Sequence, residues 1–342
     1  MEPSLLRFKP IYNQLTLGYL PAIVNGAQQA GIFEFLVKER ATVNTLAKRL
    51  QLDPGILEAT LAVLAAVKLL VCDKDHQYYL SQSAQHFLVK ASPASQIRDI
   101  RLFCMRPGPF DGLVDQLKNG AHHFDSAAFA TKEGLLDHEQ RARGGQIQEV
   151  VDFICNTPQF ASFKRMCDFA GNSGYYSEAL LNKNKNLTSK VYETPDVVTL
   201  ARQTVGDRGT CGRLEFVEIG RDIHLEDFGR GYDLFFVSHF LYHLAAAEHL
   251  LWFFKKVNQA MHLGGIFVSN HIGNAVDDQD DITQSILGLL ARTQGYPTLT
   301  LDESTLKQAL SLAGFSEFRT RPGKAGTHLN NTLVSAKKVK EM

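Results

Sequence analysis

The sequence predicts an α/β protein in two parts: a mostly helical first half, and a second half in which strands and helices alternate. Three observations carry this. Between Phe163 and Ser335, short apolar runs bounded by glycines recur between helix-like segments. Before about residue 100, apolar residues recur instead at helical spacing behind recognisable caps. The chain has 342 residues, and a single core rarely grows beyond about 250–300.

In the first half, Tyr19–Leu36 has helical spacing and is expected to break at Gly26 and Gly31. Thr42 or Asn44 can cap a short helix that buries Leu46, Ala47 and Leu50. Asp53-Pro54 starts a second helix, with Asp at the cap and Pro in the first turn, and its face carries Leu57, Leu61 and Leu64. A short strand after Leu70, the turn Asp73-Lys74-Asp75, a strand around Tyr78–Leu80 and a helix from Ser81 complete a winged helix. Such a module binds DNA through basic residues on its second helix. From Asp53 to Val67 there is no Lys or Arg, and Asp53 and Glu58 are acidic, so packing and dimerisation fit better than DNA recognition. Residues 92–143 read as irregular helix punctuated by Pro107, Gly108 and Pro109, and the pair His122-His123 reads as a solvated loop rather than metal ligands.

The second half opens with a short strand, Met166–Phe169, running into Ala170-Gly171-Asn172-Ser173-Gly174 and then a helix from Tyr175. Small residues let a ligand approach the backbone, and the helix start offers free N–H groups. Taken alone, such a turn is also compatible with a plain tight strand–helix connection. About twenty residues on, Lys190–Glu193 reads as a second strand ending in a carboxylate, the residue type that holds ribose hydroxyls. Further strands are expected at Leu214–Val217, Tyr232–Ser238 and, after a Gly264-Gly265 turn, Ile266–Ser269, with a helix over Ala245–Met261. A helix over Leu306–Ala313 and two strands near Phe318 and Leu333–Ser335 close the sheet with an antiparallel edge. The glycine spacing does not fit GxGxxG, so the turn suits a ligand without a pyrophosphate.

The zero formal charge argues against broad nucleic-acid or anionic-membrane binding. The five scattered cysteines form no CxxC pair, which suits a reducing cytoplasm and no zinc site, and no segment reads as a signal peptide or membrane span. Asp277–Asp281 reads as an acidic surface loop, and Phe103, Met105, Phe110, Phe153 and Phe160 as either an acceptor pocket or core.

At this point the chain resembles the small-molecule O-methyltransferases typified by plant caffeate and flavonoid enzymes, hydroxyneurosporene methyltransferase and bacteriochlorophyllide methyltransferase. The resemblance rests on GIFEFL, TVNTLAKRLQLDPGILEATLAVLAAVKLL, YYLSQSAQHFL and FDGLVDQLKNG in the first half. In the second half it rests on DFAGNSG, VYETPDVV, YDLFFVSHFLYH, NQAMHLGG and LKQALSLAGF. It implies a Rossmann-like class I methyltransferase sheet after a winged-helix dimerisation domain. The expected domains are residues 1–100, a helical connector over 101–160 that contributes to the acceptor pocket, and a catalytic domain over 161–342.

The resemblance further implies S-adenosylmethionine as cofactor, S-adenosylhomocysteine as product, a homodimer and a small-molecule methyl acceptor, aromatic or polyketide-like. Methylation is expected on a hydroxyl, or alternatively on carbon. By position, Asp168, Ala170, Gly171 and Gly174 would wrap the methionine part, Glu193 the ribose, and Asp222, chosen over Glu218, the adenine. Ser238 completes the cofactor set. The family places a His-Asp pair after the fourth strand, where this chain has Tyr242-His243. His243, and after it His239, are the expected bases, with Tyr242 orienting the acceptor. His271 lies near the same sheet edge. The alternative is a family member that keeps the ligand but has lost transfer chemistry and serves as a binding or regulatory subunit. One branch of methyltransferases uses a divalent ion, but that branch lacks this N-terminal domain.

Overall fold

The computed structural model describes residues 9–121, 130–206, 209–220, 222–244, 246–273, 278–296, 300–322 and 331–342. The chain divides into two compact units between Gly108 and Pro109.

The first unit is built from capped helices. Thr42 has extended backbone and its hydroxyl accepts from the Thr45 N–H, starting the helix Val43–Leu50. Asp53 does the same for Pro54–Ala66, its carboxylate accepting from the Ile56 N–H at 2.8 Å. Leu57, Leu61 and Leu64 point into a core with Phe33 and Leu46. Strand β1 (Leu70–Cys72) pairs antiparallel with β2 (Tyr78–Leu80). The Asp73 carboxylate accepts from the Asp75 and Gln77 N–H groups and shapes the turn between them. The helix Leu20–Gln29 runs unbroken through Gly26, and the interruption falls only at Gly31, whose φ of +79° ends it. Gly26 has open space around its α-carbon and carries no conformational demand of its own.

The second unit centres on a seven-stranded mixed sheet with helices packed against it. Its strands are β3 (Arg165–Phe169), β4 (Thr188–Glu193), β5 (Leu214–Glu218), β6 (Tyr232–Ser238), β7 (Met261–Ile272), β8 (Phe315–Arg321) and β9 (Asn331–Lys338). Their order is β5-β4-β3-β6-β7-β9-β8. The pairings from β5 to β7 are parallel, and β9 is antiparallel to both β7 and β8. Residues on β6 are apolar without alternation because both faces are covered: Leu234, Phe235, Phe236 and Val237 are all fully buried. β3 has β4 on one side and β6 on the other, so the chain leaves the sheet centre in opposite directions and opens a crevice at the carboxyl ends of β3, β4 and β6.

Two further elements differ from expectation. Gly264-Gly265 does not turn into the fifth strand but lies within β7, where the pairing with β6 shifts between Tyr232 and Leu234. A Cβ at Gly265 would sit 3.0 Å from both the His262 and Tyr232 carbonyl oxygens, so the glycine serves close strand approach. The acidic run does not form a loop: from Asp278 onward it opens the helix Asp278–Thr293. Asp277 and the pair His122-His123 lie outside the described residues. Phe153 and Phe160 are core residues, whereas Phe103 and Met105 are exposed and Phe110 is half-buried. Among the described residues, no helix is long and apolar enough to cross a membrane, and no group of three or more His, Cys, Asp or Glu side chains is placed to hold a metal ion.

Candidate active site

The crevice begins with the turn after β3. Ala170 (φ +55°), Asn172 (φ +52°) and Gly174 (φ +74°) all adopt the left-handed conformation, and such strain in non-glycine residues gathers at functional sites. Gly174 starts the helix Tyr175–Lys183, and a side chain there would press on Leu214 and Val191 at 3.2–3.3 Å. Gly171 answers to a different demand. A Cβ on it would lie 2.6–2.8 Å from all three atoms of the Asp168 carboxyl group.

Asp168 is fully buried at the end of β3. Ser177 Oγ donates to its Oδ2 at 2.6 Å, and Ser177 and Ser189 share a hydrogen bond of 2.8 Å. Its Oδ1 is buried without a protein partner among the described residues. Burial pushes its pKa up to about 7, against the lowering pull of Ser177 and with help from the nearby Glu193 charge. Glu193 ends β4, half-buried. Its Oε1 accepts from the Asn172 N–H at 3.1 Å and its Oε2 from the Thr194 N–H at 3.0 Å, so one carboxylate joins the first turn to the second. Burial raises its pKa, and those two N–H groups oppose the rise.

Glu139, on the helix Lys132–Ala142, has no local signature in the sequence. It is buried, accepts from Ser173 Oγ at 3.2 Å and holds Arg143 at 2.7 Å. It thus ties the glycine turn to an upstream helix over a separation of 34 residues, for which no local motif exists.

After β5, Asp222 is exposed and its carboxylate accepts from the His224 N–H. The acid that reaches back to the end of the strand is Glu226, whose Oε1 accepts from the Gly220 N–H at 2.9 Å. Glu218 points away from both, within 3.5 Å of Arg202.

The ends of β6 and β7 carry a second polar cluster. Asn270, opposite Ser238 in the β6–β7 register, donates to Ser238 Oγ at 2.9 Å and also lies 3.4 Å from Tyr176 Oη and 3.5 Å from His239 Nε2. His239 itself has a left-handed backbone, and its Nδ1 is 3.2 Å from Tyr242 Oη. Tyr242 is buried, and its hydroxyl accepts from the Ile272 N–H. Burial moves its pKa far up, so it stays a neutral phenol. His243 faces solvent, with Phe240 and Tyr296 flanking its ring at centroid distances of 5.4 and 4.9 Å. This apolar flank disfavours the protonated form and lowers its pKa. His271 is placed apart from these. It is buried on β7, bonded to Ser269 through Nδ1, and held neutral by burial with a pKa near 4. Asn270 was invisible in the sequence because its partners come from a neighbouring strand, a turn and a distant helix.

The geometry therefore gathers Asp168, Ala170, Gly171, Gly174 and Glu193 around one turn, and Ser238, His239 and Tyr242 around another. Asp222 and His243 stand exposed at the rims. The chain is similar to several known proteins. The protein MJ0086 of Methanocaldococcus jannaschii is 24% identical over 273 residues, covering 78% of this chain and 70% of that protein. The N,N-dimethyltransferase OxyT of Streptomyces rimosus is 23% identical over 213 residues, covering 59% of this chain and 62% of that protein. Human N-acetylserotonin methyltransferase, solved in complex with SAM, superimposes with a TM-score of 0.74 at 17% identity, covering 99% of this chain and all of that one. Residues 135–316, more than half of the 342-residue chain, match the O-methyltransferase domain family. The chain belongs to that family of S-adenosylmethionine-dependent methyltransferases.

Proposed function

We propose that the chain binds S-adenosylmethionine at the turn after β3 and transfers its methyl group to a small molecule, with a hydroxyl as the preferred acceptor atom and carbon as the alternative. The observation that carries this is the buried Asp168, whose Oδ1 has no partner among the described residues and lies beneath a glycine that a methyl group would exclude. A buried carboxylate with a vacant lone pair suits the ammonium end of an amino-acid ligand. The residues present fit the cofactor: Asp168, Ala170, Gly171 and Gly174 would hold its methionine part. Each Glu193 oxygen accepts one backbone N–H and retains capacity for a ribose hydroxyl. Asp222 and Ser238 would complete the site on the adenine and sulfonium sides.

The cofactor supplies the electrophilic methyl group. The chain must then align the acceptor, exclude water and, for a hydroxyl, take a proton. His243 is the first candidate for that proton, because its lowered pKa keeps the imidazole neutral near pH 7. His239 comes second, oriented by Tyr242 and Asn270. Tyr242 would then act on the acceptor through His239 rather than as a base. A member that binds the cofactor without transferring methyl groups is the second reading, favoured by Tyr242 standing where the family's histidine is expected.

The N-terminal unit would serve as a dimerisation module: Tyr12, Leu15, Leu17 and Tyr19 are each more than half exposed, the kind of apolar patch that calls for a partner. The five scattered cysteines, with no CxxC pair, fit a reducing, cytoplasmic setting.

Titration calorimetry with S-adenosylhomocysteine tests the cofactor assignment. Binding is expected, and Glu193→Ala should weaken it about tenfold or more, the scale of a lost charged hydrogen-bond partner. No binding by the wild type would refute the reading. A panel of phenols, polyketides and, in view of OxyT, amines then tests transfer. If His243→Ala and His239→Ala both keep full turnover, neither histidine is the base; if no acceptor turns over while binding persists, the second reading stands.

A further inference from the structure

We infer that Lys256 is a positioning residue for the adenine side of the cofactor site, holding the segment after β5 in its binding shape before any ligand arrives. This rests on the cofactor assignment above.

Lys256 lies on the helix Ala247–Ala260, away from the glycine turn in sequence. Its ammonium donates to three carbonyl oxygens of one short segment: Ile223 at 3.3 Å, His224 at 2.7 Å and Glu226 at 2.6 Å. An ammonium has three donors, and here all three converge on backbone that would otherwise turn its carbonyls to water. The charge also lies 5.2 Å from the Phe228 ring centre and 5.1 Å from that of Trp252. His224 packs on Trp252 with ring centres 3.8 Å apart. The segment is thus wrapped around a cation and cannot move without breaking charge-assisted bonds.

This fold aims the segment at the site in two ways. Glu226, pinned through its own carbonyl, turns its carboxylate onto the Gly220 N–H at the end of β5, beside Asp222. Phe228 packs 4.7 Å from Phe169, the last residue of β3 before the glycine turn. Lys256, Phe228, Phe169 and Ala170 therefore form a continuous stack from the helix to the ligand turn. Without the ammonium, three carbonyls would lose their donor and the segment would have to be ordered by the ligand, at a cost in affinity.

The test compares wild type, Lys256→Met and Lys256→Arg for binding of S-adenosylhomocysteine and of 5′-methylthioadenosine, which keeps the adenosine but lacks the amino-acid end. Lys256→Met should weaken both ligands by the same factor, about tenfold, with Lys256→Arg intermediate. Asp168→Asn, by contrast, should weaken S-adenosylhomocysteine alone. Trp252, the only tryptophan, reports the segment directly: its emission should change on Lys256→Met without ligand. Hydrogen exchange on the ligand-free wild type gives an arm that needs no variant, and the amides of His224, Leu225, Glu226 and Gly229, each of which has an acceptor within the segment, should already be protected. Equal affinity of Lys256→Met and wild type for both ligands, or free exchange of those amides, would overturn the inference. Failure of the wild type to bind either ligand would instead overturn the cofactor assignment.

Discussion

Replacing Gly171 by alanine probes the glycine turn most directly. The added methyl would lie 2.6 Å from Asp168 Cγ and 2.7 and 2.8 Å from its oxygens, whereas relaxed non-bonded carbon contacts lie at about 3.5–4.0 Å. The overlap of roughly 1 Å must be relieved by moving either the turn or the carboxyl group. The carboxyl group is fully buried and held by Ser177, which is itself held by Ser189. The turn is held by the Ala170 N–H on the Tyr192 carbonyl and by the Asn172 N–H on Glu193. With neither side free, overpacking should cost about 1–3 kcal/mol. For a domain of this size that lowers the melting temperature of the second unit by about 2–12 °C. Differential scanning calorimetry measures this, and the same sample titrated with S-adenosylhomocysteine should lose about tenfold or more in affinity, because the methyl shifts the carboxyl group proposed to meet the ligand. Gly288→Ala is the control. Gly288 lies inside the helix Asp278–Thr293 with open space around its α-carbon, so alanine there should be neutral or stabilise by up to about 1 kcal/mol. A Gly171→Ala protein with unchanged melting and unchanged affinity would refute the packing argument at this turn.

Two further outcomes follow from groups already placed. Asp168 has a folded pKa near 7, above its unfolded value of about 3.9, so its share of stability is full below about pH 4 and is lost as pH rises through about 7. His271 has a folded pKa near 4, below its unfolded value of about 6.5, so its share is full above about pH 6.5 and is lost as pH falls through about 4. The two oppose each other over the same range. In urea titrations, Asp168→Asn should therefore leave a protein that weakens on acidification from pH 6.5 to 4, and His271→Asn one that strengthens, each with a slope of up to about 1.4 kcal/mol per pH unit; parallel profiles for the two variants would show that neither group titrates as described. In the first unit, Asp53→Ala removes the acceptor of the Ile56 N–H and should cost about 1 kcal/mol, read from the first unit's melting; no change would mean that water replaces the cap.

The caps at Thr42, Asp53 and Ser81 were legible because each contact spans three residues. The buried strands were legible as apolar runs, and the turn after β3 as a cluster of small residues. The helix Asp278–Thr293 was not. It opens with acidic residues, and Ile282, Ile286 and Leu289 are exposed, so its pattern announces no packed face. Gly264-Gly265 looked like a turn because a glycine pair has the same local signature whether it bends the chain or admits a neighbouring strand. Contacts at long range left no trace at all. Glu139 meets Ser173, and Asn270 meets Tyr176 at a separation of 94 residues, through a fold that had first to be assembled. That Glu226 meets the Gly220 N–H after β5 was hidden likewise, because it depends on how a short segment wraps around Lys256.

The position of β9 has a consequence for biosynthesis. This strand follows all the others of its sheet in sequence yet lies between β7 and β8. Its Lys338, buried, donates to the carbonyls of Asn258 and Met261 and so closes the end of the helix Ala247–Ala260. Until β9 has left the ribosome, β7 carries an open edge, β8 has no partner in the sheet, and that helix end lacks its cation. Open strand edges recruit other strands. The nascent chain must therefore be shielded until the insertion is complete, and premature termination anywhere between Phe315 and Asn331 would leave β7 exposed to a neighbouring chain.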